Sequence, residues 1–275
     1  MPDPYASIAQ ADEALQKRLA SVLELRAADP QQRAMLSAYL SEIHLPSAAI
    51  VLDVGCGTGA VTRVLAEIRG VSEVVGVDPS PIFVEKAREL GKGHPQVSFR
   101  TGDGRAVPFA DASFDLVVFH TTLCHLPDPE KALHEARRVL RAGGWLAVFD
   151  GDYVTTTVAI DTFDPLQSTV DAMVANFLHN PWLPRRLGHI LRSMGFAVVS
   201  FRSHGYTQTL NRNTCLQSLI AAPTCSLEPE YWHRSSRSVG PSSVTFLTVT
   251  ANFSARFLSA SESLAAESAY GYSRG

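Results

Sequence analysis

The residues best suited to bind a ligand lie between Asp53 and Gly59, where an acid is followed by three alternating glycines, Gly55, Gly57 and Gly59. An apolar run at residues 49–52 precedes them, and apolar residues recur at helical spacing after them, which predicts a strand, a glycine loop and a helix. Because glycine lacks a Cβ and can adopt positive φ, a ligand can lie against the backbone of such a loop. The free N–H groups at the start of the helix then face it, so the sequence predicts a nucleotide-type cofactor site.

A second acid, Asp78, follows the next predicted strand at residues 73–77. It lies about 20 residues beyond the glycine loop, where a carboxylate can accept hydrogen bonds from the ribose hydroxyls of an adenosine cofactor. Asp78 could instead cap the helix predicted at residues 81–90. Ser80 suits that role better, because Pro81 then occupies the first helical position. We therefore assign Asp78 to the ribose.

Two histidines follow the predicted strand at residues 115–119 and are the candidate catalytic residues. His120 lies at the carboxyl end of that strand, where ligands bind in open parallel sheets. His125 precedes a Pro-Asp-Pro helix start, and a structural role beneath that helix is slightly favoured for it. Either imidazole could act as a general base if the substrate has to lose a proton, with Asp150 or Tyr153 behind them.

Four motifs in a fixed order between residues 49 and 153 resemble the class I methyltransferases that depend on S-adenosylmethionine (SAM). They are Asp-x-Gly-x-Gly-x-Gly, the acid after the second strand, a Gly-Asp-Gly segment at residues 102–104, and Leu-x-His followed by Leu-Arg-x-Gly-Gly. The resemblance is to the type 11 group, which is related to ubiquinone and menaquinone C-methyltransferases. It implies that Asp53 binds near the ammonium group of SAM and that Asp103 and the Gly104 backbone bind the adenine. The alternative for Asp103 is a solvated turn acid.

The same resemblance implies an α/β fold: a Rossmann-like, mostly parallel seven-stranded sheet with helices on both faces. Residues 1–45 would form an N-terminal helical cap and residues 46–153 the SAM-binding core. Residues 154–275 would complete the sheet and add a helical insertion on the substrate side and a serine-rich tail. His120 counts among the cofactor-binding candidates as well as the catalytic ones, because it ends the strand that faces the methyl group.

Hydrophobic periodicity supplies the remaining elements. The two N-terminal helices could cover the site or could simply form an extra layer on the sheet. The predicted helices span residues 8–27, 30–43, 130–140, 163–178, 183–194 and 210–221, and the glycines at residues 143 and 144 are expected to cap the third of them. The predicted later strands span residues 146–149, 195–202 and 244–251.

Composition excludes several classes of protein. The 275 residues carry a formal net charge of −3 without a strongly basic stretch, so nucleic acid is not an expected partner. No apolar run approaches the length of about 18 residues that indicates a transmembrane helix. The N-terminal stretch carries acids and lacks an apolar signal core, so a cytoplasmic location is expected.

Metal binding is not expected. The cysteines contain no Cys-x2-Cys pair and are interpreted as reduced thiols. Asp150 and Asp152 flank a glycine and could suggest two metal ligands, but the fourth strand ends in Phe119 and His120 rather than in an acid. The four cysteines are Cys56, Cys124, Cys215 and Cys225.

We therefore predict an enzyme that transfers a methyl group from SAM to a C, O or N atom of a small molecule. Four aromatic residues, Tyr153, Phe163, Phe177 and Trp182, are available to line an apolar pocket, which suits an aromatic or secondary-metabolite-like acceptor. Three alternatives stay open: an NAD-linked oxidoreductase, a non-methylating enzyme on the same fold, and a non-enzymatic SAM-binding module.

Overall fold

The computed structural model describes residues 3–159, 167–210 and 246–259. Its α-helices are α1 (Glu13–Ala28), α2 (Pro30–Leu40), α3 (Ala60–Ala66), α4 (Pro81–Leu90), α5 (Pro129–Val139), α6 (Gln167–Phe177) and α7 (Leu183–Ser193). Its strands are β1 (Ala49–Val54), β2 (Val71–Asp78), β3 (Val97–Thr101), β4 (Phe114–His120), β5 (Leu140–Ala159), β6 (Phe196–Leu210) and β7 (Phe246–Ser259). Short 3-10 helices lie at Ile8–Gln10 and Leu123–His125.

The strands form one sheet in the order β3-β2-β1-β4-β5-β7-β6. The pairs from β3 to β5 are parallel, and β7 runs antiparallel to both β5 and β6. Val54 at the end of β1 pairs with Val77 on one side and with Phe119 on the other. Asp78 and His120 each lie one residue further along, so the register brings both to the same edge of the sheet as the glycine loop.

The central strands are buried on both faces, as expected for a parallel sheet between layers of helices. Leu52 and Val117 belong to the core beneath α5 and α7, whereas Val51 and Leu116 belong to the core beneath α2 and α3. Because successive side chains of a strand point to opposite faces, apolar residues at consecutive positions serve both cores. The predicted fold class is thus confirmed: a mostly parallel sheet with helices on both faces.

Several predicted boundaries were wrong. The first helix does not begin at residue 8: α1 begins at Glu13, where the Asp12 carboxylate accepts from the Leu15 N–H at 2.8 Å and caps it. The strand predicted at residues 146–149 is the longer β5, because its antiparallel pairing with β7 continues as far as Ala159. No glycine caps α5, since Leu140 is already extended at the end of that helix.

Some predictions fall outside the described residues. They are the helix predicted at residues 210–221, apart from Leu210, which ends β6, most of the serine-rich tail, and the side-chain environments of Phe163, Phe177, Cys215 and Cys225. Within the described part of the chain, Cys56 and Cys124 are buried free thiols. No described helix is both long enough and apolar enough to cross a membrane.

Candidate functional site

A cavity of about 180 Å³ opens at the carboxyl ends of β1, β2 and β4. Its floor is the glycine loop, and its opposite wall comes from α1, α2 and the segment before them. The two N-terminal helices therefore line the cavity. The residues that line the cavity include Tyr5, Leu23, Arg26, Arg33, Asp53, Gly55, Gly57, Asp78, His120, Thr122 and His125.

The glycine loop adopts the left-handed conformations that the sequence predicts. Gly55, Gly57 and Gly59 have φ values of +73°, +54° and +77°, where side-chain-bearing residues are strained. A Cβ at Gly57 would lie 2.8 Å from Leu23 Cδ1 on α1, and one at Gly55 would clash with the Thr122 side chain. Gly59 does not line the cavity; it begins α3 and packs against the Phe99 ring.

Asp53 lies in the cavity floor with 1% of its surface exposed. One carboxylate oxygen accepts from the Thr62 hydroxyl at 2.6 Å. Burial raises the pKa of Asp53 to about 7, although the Thr62 hydrogen bond and backbone oppose the shift. A buried carboxyl of this kind gains most from a cationic partner, which would favour its ionised form.

Asp78 organises the loop from the neighbouring strand. Its two carboxylate oxygens accept from the backbone N–H groups of Gly57 and Ser80, each at 2.9 Å. Burial raises the pKa of Asp78 to about 6 against these two hydrogen bonds. Ser80 caps α4 through its hydroxyl, which accepts from the Phe83 N–H, so Asp78 is free of the capping role and retains lone pairs toward the cavity.

Asp103 and Gly104 lie away from the cavity lining. The Asp103 carboxylate is paired with the Arg105 guanidinium, with 2.7 Å between Oδ2 and the nearer terminal nitrogen, and its side chain is 46% exposed. A Cβ at Gly104 would lie 2.6 Å from Val54 Cγ1, so this glycine allows close packing beside β1. Their assignment to the adenine stays a prediction.

His120 lines the cavity and belongs to a stack of three rings. Its ring lies 4.6 Å from the Phe149 ring at an interplanar angle of 14°, and the Tyr39 ring stacks on Phe149 from α2. The Tyr39 hydroxyl and His120 Nδ1 are 3.0 Å apart. Burial, and after it the charge of Arg26, lower the pKa of His120 to about 3, so the imidazole is neutral in the working pH range.

His125 is held by the N-terminal segment. Its Nδ1 lies 2.9 Å from one oxygen of Asp3, whose carboxylate also accepts from the Tyr5 N–H. The ring of Tyr5 packs against His125 with centroids 4.7 Å apart. His125 reaches the cavity wall, but its polar contacts are those of a structural histidine.

We expect His125→Ala to lower stability more than function. Removal of the imidazole takes one hydrogen-bond partner from the Asp3 carboxylate, of whose side chain 1% is exposed, at a cost of about 1–3 kcal/mol. Thermal unfolding should detect a drop of a few degrees relative to His134→Ala, whose histidine is exposed on α5. An unchanged melting temperature together with a large loss of turnover would instead make His125 a catalytic residue.

Two acids within β5, Asp150 and Asp152, serve other contacts. The Asp150 carboxylate accepts from the backbone N–H groups of Cys124 and Gly151, and Asp152 accepts from Arg185 Nε at 2.7 Å. Trp182 is 58% exposed and lies outside the cavity lining. Among the described residues no group of three or more His, Cys, Asp or Glu side chains is arranged to hold a metal ion.

Sequence reasoning missed the wall that faces the glycine loop. Arg26 and Tyr39 reach the site from α1 and α2, and Glu24 ties α1 to the loop by accepting from the Thr58 hydroxyl at 2.6 Å and from Arg63 at 2.9 Å. No local pattern marks these residues, because their place depends on how the helices dock. Thr62 could have been found, since it lies on the first turns of the helix that the loop starts.

Comparisons with known proteins agree on the domain. Residues 52–148 match a family model described as a methyltransferase domain. The chain is 36% identical over 122 residues to 2-phytyl-1,4-naphtoquinone methyltransferase of Thermosynechococcus vestitus, covering 44% of this chain and 54% of that protein. It is 33% identical over 155 residues to O-methyltransferase resE of Aspergillus sclerotiorum, covering 55% and 56%.

Solved structures show the same fold. A SAM-dependent methyltransferase from Aquifex aeolicus superposes with a TM-score of 0.51 over 88% of this chain and 98% of its own, at 18% identity. The chain spans about half the length of the curated relatives that it matches first, 52%, 42% and 54%.

Proposed function

We propose that this chain, in which residues 52–148 form a methyltransferase domain of the type 11 group as the motifs predicted, transfers a methyl group from SAM to a small organic acceptor. The observation that carries the proposal is a single cavity. Asp53, Gly57, Asp78 and His120 line it at the edge of the sheet, and Arg26 lines it from α1. A cofactor cradle and a second wall of polar groups thus share one space.

The cradle suits SAM by its chemistry. Gly55 and Gly57 line the cavity with bare backbone, and two buried carboxyls, Asp53 and Asp78, point to a ligand with cationic and hydroxyl groups. Asp53 would bind near the ammonium and Asp78 the ribose hydroxyls. SAM supplies a methyl group on a sulfonium leaving group, so the protein's task is to bind and orient the acceptor.

For the acceptor we propose a quinol or another phenolic molecule. Relatives that share the domain are named as a naphthoquinone methyltransferase and as an O-methyltransferase. The His120 ring, which lines the cavity and stacks on Phe149, supports an acceptor with a flat ring and one polar group. An NAD-linked reaction is less well supported, because Asp53 would repel a pyrophosphate bound at the same loop.

The test is direct. Calorimetry and thermal shift should detect SAM and S-adenosylhomocysteine but not NADH. A screen of quinols and phenols should then release S-adenosylhomocysteine with at least one acceptor. Binding without any release would favour a non-methylating enzyme or a binding module, and stabilisation by NADH alone would favour the oxidoreductase.

The buried acids predict that SAM affinity rises with pH. A carboxyl has to be ionised to bind the ammonium, and the pKa values of Asp53 and Asp78 are raised to about 7 and about 6. Affinity should therefore increase about ten-fold from about pH 6 to about pH 8. Calorimetry in buffers of different ionisation enthalpy should also show proton release on binding at the lower pH.

The ligand-free protein should show the opposite trend in stability. These carboxyls ionise in the unfolded chain near their ordinary value of 3.8 but stay protonated when folded, so the free energy of unfolding falls as the pH rises from about 4 toward 7. Asp53→Asn should weaken the pH dependence of both the SAM affinity and the free energy of unfolding. A SAM affinity that is independent of pH in the parent protein would exclude Asp53 as the ammonium ligand.

A further inference from the structure

The hydrogen bond between Tyr39 and His120 determines which imidazole nitrogen carries the proton. Tyr39 is 3% exposed, and its hydroxyl has His120 Nδ1 as its hydrogen-bond partner within the described residues. A buried O–H group that donates to nothing loses a hydrogen bond at a cost of about 1–3 kcal/mol. The Tyr39 hydroxyl therefore donates, and Nδ1 accepts.

It follows that Nε2 of His120 carries the hydrogen. In a neutral imidazole one nitrogen accepts and the other donates, and burial with the nearby charge of Arg26 keeps this ring neutral, its pKa lowered to about 3. Among the described residues no group forms a hydrogen bond with Nε2, and His120 lines the cavity. The cavity thus meets an N–H donor at this position, whereas a general base would have to present a lone pair.

Arg26 adds a positive charge to the same cavity. It lines the cavity, and its electrostatic neighbours include Tyr153, Tyr5 and Tyr206. Within the described part of the chain no carboxylate forms an ion pair with its guanidinium. The charged and titratable side chains that line the cavity are Tyr5, Arg26, Arg33, Asp53, Cys56, Asp78, His120 and His125.

We propose that His120 Nε2–H and the Arg26 guanidinium together bind an oxyanion of the methyl acceptor, so that the acceptor is a phenolate or enolate that enters already ionised. This inference rests on the proposed methyl transfer and names its substrate class. Tyr39 is a positioning residue, because it acts by fixing the His120 tautomer. Charge-assisted hydrogen bonds of this kind are the strong ones in proteins.

The chemistry balances without a protein base. The electron pair of the anion forms the new bond to the methyl carbon while the carbon–sulfur bond breaks and its electron pair stays on sulfur. Negative acceptor and positive sulfonium become a neutral methylated product and a neutral thioether. No proton has to move in the step, which agrees with a histidine that is already a donor on its cavity side.

The test compares two small probes on the full chain saturated with S-adenosylhomocysteine: 4-nitrophenol at a pH where it is the anion, and 4-nitroanisole, its uncharged ether. We expect the phenolate to bind about ten-fold more tightly than the ether. His120→Leu and Arg26→Met should each remove most of that preference, and His120→Gln, which keeps an N–H donor, should retain part of it. The matched control is Arg18→Met, an exposed arginine on α1, which should change nothing.

The readouts separate this inference from the proposed function. If S-adenosylhomocysteine does not bind the parent protein, the proposed function fails. If it binds but the two probes bind equally, or if the phenolate preference survives both substitutions in folded variants, the oxyanion site is wrong. A loss of S-adenosylhomocysteine affinity in Arg26→Met would assign Arg26 to the cofactor instead.

The tautomer has its own measurement. Nitrogen-15 NMR of histidine-labelled protein should show the Nε2–H form for His120 in the parent chain and a mixture of tautomers in Tyr39→Phe. A merely structural tyrosine would leave that signal unchanged. An Nδ1–H tautomer in the parent would overturn the donor role and restore His120 as a candidate base.

Discussion

Gly57→Val should abolish SAM binding while the chain still folds. Gly57 has a φ of +54°, where a residue with a Cβ pays about 1–2 kcal/mol and a β-branched one more. The new side chain would project toward Leu23, whose Cδ1 lies 2.8 Å from the Cβ position, and would fill the space between the loop and α1. We expect affinity to fall by more than about 100-fold.

The matched control for this substitution is Gly93→Val. A Cβ at Gly93 would meet nothing within 4 Å, so this variant should bind SAM like the parent. Circular dichroism and the melting temperature establish that Gly57→Val is folded before its affinity is measured by calorimetry. A folded Gly57→Val protein that binds SAM normally would move the cofactor cradle away from this loop.

The second large effect is expected from Asp78→Ala, which should weaken SAM binding by about 1.5–3 kcal/mol, or roughly 10- to 100-fold. The substitution removes the acceptor proposed for the ribose. It also removes the oxygen to which the Gly57 N–H donates at 2.9 Å. The variant therefore loses a hydrogen bond that holds the loop in addition to the one proposed for the ligand.

Asp78→Asn separates the two contributions. Its amide oxygen can still accept from the Ser80 N–H, as one carboxylate oxygen now does, but the charge is gone. Glu73→Ala, an exposed acid on the same strand β2, serves as the control. Equal SAM affinity in the parent and in a folded Asp78→Ala variant would refute the ribose assignment.

The cradle side of the site was predictable because its residues lie at the ends of strands. A motif that ends a parallel strand brings its side chain to one edge of the sheet whatever the helices do, and so Asp53, Gly57, Asp78 and His120 share one cavity. The same reasoning could not place Asp103: its turn directs the carboxylate to Arg105, two residues along the chain.

The opposite wall was not predictable for a physical reason. Arg26 and Tyr39 lie on helices whose apolar residues predict that one face is buried. The pattern does not predict which part of the protein that face contacts, because docking depends on the whole surface that the helix meets. The partner of His125 is Asp3, 122 residues earlier in the chain. The chemistry that we infer for the acceptor therefore depends on long-range contacts, whereas the cofactor chemistry depends on local ones.

That separation in sequence has a consequence for the order of assembly during synthesis. The helix α1 is made first, but its buried Leu19 packs in a cluster with Phe83 of α4. Asp3 cannot form its hydrogen bond with His125 until that residue, which follows β4, has been made. Closing so long a loop costs chain entropy before any contact compensates it, and N-terminal segments leave the ribosome first. We expect a nascent chain to pass through a state in which the glycine loop has formed but α1 has not yet docked over it, so that the inner face of α1 is still exposed to solvent.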